Sequence, residues 1–134
     1  MNTKKRGWKK MIVRHSSEVE DVHWGNGVSK RLLTAKDGVG YTITDTIVTA
    51  GTRSPLEYKN HFEACYCISG SGMVIDANGD EYPLTPGTMY ALDKNDPHHL
   101  VASPLEDLRL ICVFAPALMG DERHDFSQLE FSSY

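Results

Sequence analysis

The sequence predicts an all-β domain, a small antiparallel sandwich or barrel, and three observations carry that expectation. From Gly40 onward, short segments rich in Thr, Ile, Val, Tyr and Phe recur between Gly, Pro and Asn punctuation. Inside the clearest of them, polar and apolar side chains alternate with the period of a half-buried strand. The chain of 134 residues, 40% of them hydrophobic, is a length at which one core suffices and a second would be cramped.

Taken in order, Ser16 to Asp21 reads as a short N-terminal helix with Ser16 or Ser17 as its cap. Tyr41 to Thr49 is the first strand. His61 to Ser69 follows, with His61, Glu63, Cys65 and Cys67 on one face and Phe62, Ala64, Tyr66 and Ile68 on the other. Ser69-Gly70-Ser71-Gly72 turns the chain into Met73 to Ala77, and Asn78-Gly79 predicts a tight hairpin into Glu81 to Leu84. After Pro86-Gly87, Thr88 to Leu92 and His98 to Ala102 flank the turn Asp93 to Pro97. Leu108 to Phe114 is the most apolar strand.

Charge narrows the function. The net charge is −4, but Lys4, Lys5, Arg6, Lys9 and Lys10 all fall in the first ten positions. The rest is strongly acidic and would repel a phosphate backbone, which excludes a nucleic-acid reader. Residues 1–10 read as a basic tail, 11–125 as the domain and 126–134 as a C-terminal tail. The longest apolar run, Leu110 to Ala115, is far short of the roughly 20 residues of a membrane span. Met11-Ile12-Val13 is stopped at once by Arg14, unlike a secretory leader, so a cytoplasmic protein is expected. Cys65, Cys67 and Cys112 are an odd set, expected to be reduced thiols.

The spacing of glycines and carboxylates is more specific. Gly51, then Glu57-x-Lys59 after five residues, Glu63 after three more and Gly70 after six resembles the first motif of the cupin barrels with both of its histidines replaced. Gly79 and Gly87 resemble the second motif, with Tyr90 where the remaining histidine ligand would stand. Only Glu63 survives of the usual four ligands. Tyr90 and His98 flank a turn, so both can point back beside Glu63. Carboxylate, phenolate and imidazole suit Fe(II) or another first-row divalent ion with positions left open for substrate. The same residues also read as a core tyrosine and a surface histidine around a dead site.

Longer strings carry a closer resemblance. Leu56 to Cys67 (LEYKNHFEACYC), Pro86 to Lys94 (PGTMYALDK), and Cys112-Val113-Phe114 leading to Gly120-x-Glu122-x-His124-Asp125 resemble the ectoine synthases over roughly Met11 to Asp125. The resemblance implies a single cupin domain, a small antiparallel β-barrel or jelly roll of six to eight strands, forming a homodimer. It implies a hydro-lyase of ectoine biosynthesis, an osmoprotectant route, that closes N-γ-acetyl-L-2,4-diaminobutyrate into the cyclic amidine ectoine with loss of water. It implies iron on Glu63, Tyr90 and His98, and proton transfer among Tyr58, Glu122 and His124. Thr46 and Cys112 would lie near the reacting centre, and Ser29, Arg31, Thr44, Phe114 and Glu57 would line the substrate.

The chain departs from that family's pattern at identifiable points. Glu57 stands where a histidine is usual, Thr44 where an asparagine is common, and Gly27 where a tryptophan is usual. Trp24, three residues earlier, offers a tryptophan through a shifted loop. Two other readings stay open at this stage: a cupin acting on another small N-acylated amino acid, and a cupin that binds a small ligand without turnover.

Overall fold

Eleven strands form two sheets in the computed structural model, which describes residues 11–93, 95–126 and 131–134. The basic segment 1–10 lies outside the described residues. The strands are β1 (Asp21–His23), β2 (Gly27–Arg31), β3 (Thr42–Val48), β4 (Arg53–Glu57), β5 (Phe62–Ser69), β6 (Gly72–Ile75), β7 (Glu81–Leu84), β8 (Met89–Leu92), β9 (His98–Ala102), β10 (Leu108–Ala115) and β11 (Ser132–Ser133). One sheet has the order β1-β2-β3-β10-β5-β8 and the other β11-β4-β9-β6-β7. Every pairing is antiparallel except that of β11 with β4. This is the all-β antiparallel sandwich that the punctuation and alternation anticipate, with more strands than the six to eight that the resemblance implies.

Alternation explains the core. On β10, Leu108, Leu110, Cys112 and Phe114 point inward, and on β5 Glu63, Cys65 and Cys67 do the same. Leu84, Leu108, Leu110 and Leu118 are fully buried between the sheets. Truncating one of them to alanine costs about 2–5 kcal/mol. The hairpin at Asn78-Gly79 forms as read. Gly79 takes a φ of 85°, and Asp76 Oδ1 accepts the backbone N–H groups of Asn78 and Asp80 at 3.0 Å each.

Two features differ from the sequence reading. In place of a helix from Ser16 to Asp21 there is a single 3-10 turn, Ser16–Glu18. Its cap is His15, whose Nδ1 accepts the Ser17 N–H at 3.1 Å, rather than Ser16 or Ser17. Asp21 is taken by β1, where it pairs with Lys30 in register and by a 2.6 Å ion pair, which leaves too few residues for a helix. Strands β1, β2, β4 and β11 are also additional. Strand β4 carries Pro55, which the sheet tolerates because, among the described residues, β11 pairs only with Leu56 and Glu57.

Beyond Asp125 the chain returns to the sandwich. Phe126 packs against Trp24, ring centroids 6.2 Å apart, and Ser132 pairs with Leu56.

Candidate active site

One row of register partners crosses the larger sheet on its inner face. Arg31 on β2 opposes Thr44 on β3, Thr44 opposes Cys112 on β10, Cys112 opposes Cys65 on β5, and Cys65 opposes Tyr90 on β8. The row on one side supplies Ser29, Thr46 and Leu110, and the row on the other Phe114 and Glu63. From the second sheet come Leu56 and Leu100, with Tyr58 just past the end of β4. Together with Trp24, His124 and Tyr134 these side chains line one pocket.

The pocket's polar wall is a continuous chain of hydrogen bonds. Thr44 and Thr46 share a bond of 2.9 Å between their hydroxyls, Thr46 donates to Ser29 Oγ at 3.1 Å, and Arg31 Nε donates to the same oxygen at 3.1 Å. Arg31 is buried. Its Nη2 donates to the Glu122 carbonyl at 2.8 Å, and its Nη1 lies 3.7 Å from Glu122 Oε1 with no hydrogen-bond partner of its own among the described residues. A buried guanidinium with an unused N–H is a ready partner for an anionic ligand.

Tyr58 and His124 form the second polar group. Tyr58 Oη lies 3.1 Å from His124 Nε2, and the other ring nitrogen, Nδ1, lies 2.8 Å from Ser132 Oγ. The Tyr58 ring is fixed edge-on by Phe114 and Tyr134, with centroids at 5.3 and 5.1 Å. Burial pushes the Tyr58 phenol well above its usual range, helped by the nearby Glu63 carboxyl, so it keeps its proton. Burial, with Arg31 and His98 adding positive charge, pushes His124 down to about 3. The imidazole is therefore neutral at any physiological pH. Glu122 does not pair with it. The Glu122 carboxylate instead accepts the backbone N–H groups of Met119 at 2.8 Å and Gly120 at 2.9 Å. Against the effect of burial, these N–H groups and Arg31 hold Glu122 below the ordinary carboxylate range.

The expected metal ligands are all inside. Glu63 is buried, and burial pushes it up to about 8, against a smaller lowering by Cys65. His98 is 1% exposed; its Nδ1 lies 3.0 Å from the Asp96 carbonyl, while its Nε2 has no partner among the described residues. Tyr90 packs on His98 with ring centroids 6.3 Å apart, and burial raises its phenol well above the usual range. The partnerless His98 Nε2, the buried Glu63 carboxyl and the Tyr90 phenol packed on His98 are donor types that suit a divalent cation.

Of the side chains singled out from the sequence, Tyr58, His124, Thr46, Cys112, Ser29, Arg31, Phe114, Glu63 and Tyr90 meet in this pocket. His98 stands behind Tyr58 and Tyr90, Thr44 behind Thr46, and Glu122 behind Arg31. Glu57 is outside. Alternation along β4 turns Leu56 inward and Glu57 away, where it lies 3.9 Å from Lys59. Trp24 does enter from the shifted loop, and Gly27 has no room for a side chain, since a Cβ there would meet the Ile47 carbonyl oxygen at 1.9 Å. Inward parity alone would have nominated Leu56, Cys65, Leu100 and Leu110. Nothing in the sequence marks Tyr134, which arrives only because β11 pairs with β4.

Comparison with known proteins agrees with this geometry. The family model described as ectoine synthase matches residues 11–129. An L-ectoine synthase of Desulfatibacillum aliphaticivorans is 54% identical over 102 residues, covering 75% of this chain and 77% of its own. One from Wolinella succinogenes is 46% identical over 122 residues, covering 86% and 92%. The solved ectoine synthase from P. lautus superposes with a TM-score of 0.77 at 45% identity, covering 82% of this chain and 81% of that one.

Proposed function

The chain belongs to the ectoine synthase family, and we propose that it closes N-γ-acetyl-L-2,4-diaminobutyrate into ectoine with loss of water, as a metal-dependent hydro-lyase. The observation that carries this reading is the meeting in one pocket of the Tyr58–His124 pair, Arg31 and the buried Glu63.

The reaction joins the substrate's α-amine to the carbonyl carbon of its own acetamide. Two protons leave the nitrogens and depart with the carbonyl oxygen as water. The first task is to fold the substrate so that its ends meet, which a closed pocket does by orientation. Arg31, through the Nη1 that has no hydrogen-bond partner among the described residues, receives the substrate carboxylate, and Ser29, Thr44 and Thr46 extend that polar wall. Tyr58, held protonated, donates toward the departing oxygen with neutral His124 orienting its hydroxyl, and the proton that the attacking amine gives up restores the phenol. Cys112 and Phe114 shape the wall beside the reacting carbon. Glu63, Tyr90 and His98 would hold Fe(II), which when bound supplies Lewis-acid polarisation of a carbonyl oxygen.

The acting form is a cytoplasmic homodimer, and residues 11–125 are the body of its catalytic domain, completed at the pocket by Ser132 and Tyr134. Support for a second copy comes from the outer face of the larger sheet. There Phe62, Tyr66, Met89 and Val113 are all more than a third exposed, on three adjacent strands. The test of the activity is direct. Fe(II)-loaded protein should convert the acetylated diaminobutyrate to ectoine, and Tyr58→Phe should lose roughly a hundredfold in turnover while melting normally. A cupin that acts on another N-acylated amino acid would turn over that compound and not this one.

A further inference from the structure

We propose that Glu63, Cys65 and Cys112 form a second metal site in the pocket, selective for a soft, sulfur-seeking divalent ion such as Zn²⁺. Cys65 and Cys112 are direct register partners on β5 and β10, so both thiols project from one point of the inner face. Glu63 lies two positions along the same strand face. The carboxylate oxygen and both sulfurs fall within 4.8 Å of one another. Ligand atoms around a tetrahedral zinc stand roughly 3.3–3.8 Å apart, given Zn–S of about 2.3 Å and Zn–O of about 2.0–2.2 Å. Small side-chain rotations close that difference with no movement of the sheet.

Access and completeness support the site. All three side chains line the pocket, so an ion arrives by the route open to substrate. Three protein ligands leave the fourth tetrahedral position to a water. Cys67 does not belong to it, since its thiol turns to the Ser69 carbonyl at 3.6 Å. The donor chemistry separates this site from the one proposed for Fe(II). Oxygen and imidazole donors suit iron, whereas two thiolates favour zinc and softer ions. Each thiol gives up its proton to solvent as the ion enters. Glu63 is common to both sets, so a soft ion draws on a ligand that the iron would use.

The experiment reads ligand identity rather than turnover, so its failure and the failure of the proposed activity are distinguishable. The full-length chain, freed of bound metal by chelation and kept reduced by a phosphine, is given one equivalent of Zn²⁺ and studied by X-ray absorption at the zinc edge. The expected result is a sulfur shell at about 2.3 Å that is lost or halved in Cys65→Ser and Cys112→Ser and retained in Cys67→Ser. A wild-type shell of nitrogen and oxygen alone would overturn the proposal without recourse to any variant. So would a sulfur shell that disappears in Cys67→Ser and survives the other two substitutions.

Discussion

Ser132 Oγ stands 2.8 Å from His124 Nδ1 and also accepts the Asp125 amide at 2.9 Å, so the last strand grips the imidazole whose far nitrogen faces Tyr58. Which ring nitrogen carries the proton is set by this contact. Ser132→Ala removes it and lets the ring choose its tautomer. Turnover should fall about tenfold, the value of one hydrogen bond of about 1.4 kcal/mol, with KM little changed. Ser132→Thr keeps the hydroxyl and should restore most of the loss. A variant that melts early and is not rescued by threonine would make Ser132 a fold residue only.

Glu122 and Arg31 invite a different substitution. The Glu122 carboxylate ties the Met119–Gly120 backbone and stands beside Arg31, while its own carbonyl accepts Arg31 Nη2. Its place is therefore to position the guanidinium rather than to exchange protons with His124. Glu122→Gln keeps the shape and weakens the charge, so the expected loss falls on KM more than on kcat. Steady-state kinetics separate the two, and a pure kcat loss would return Glu122 to proton transfer.

Metal content tests the hard-donor set. Removing Glu63 or His98 takes away a ligand, and that costs more than the roughly 10–100-fold in affinity lost with a supporting partner. Fe(II) titrations of Glu63→Ala and His98→Ala should both show this weakening, and Cys67→Ser should bind as the parent does. Unchanged iron affinity in Glu63→Ala would remove the carboxylate from the set.

The fold was legible wherever a strand had one apolar and one polar face. The faces of β5 were read correctly from alternation, from Phe62 outward to Glu63, Cys65 and Cys67 inward. Strand β2 was not legible, and for a reason that bears on the site. Its inward residues are Ser29 and Arg31, which face the polar pocket wall, so the apolar period that marks a strand is missing where the site needs polarity. The pocket residues on long strands were found by matching motifs. Tyr134 and Ser132 were out of reach, because their places depend on a two-residue strand with no local signal.

Acid stability gives the last prediction, since two buried groups of the metal-free pocket oppose each other. His124 is pushed down to about 3, chiefly by burial, so as pH falls below 6.5 the unfolded chain takes up a proton that the folded one refuses. Its contribution to stability is whole above 6.5 and drains away toward pH 3. Glu63 has the reverse sign: raised to about 8, it holds a proton in the fold that the unfolded chain has released, so it favours the fold as pH falls from 8 toward 4.5. His124→Gln deletes the first of these and leaves the second. Between pH 6.5 and 4.5 the stability of the parent relative to this variant should therefore decline by about 1.4 kcal/mol per pH unit. Urea unfolding of both chelator-treated proteins at several pH values measures it. Parallel curves would show that His124 titrates normally in the fold, and with it the neutral imidazole behind Tyr58 would be lost.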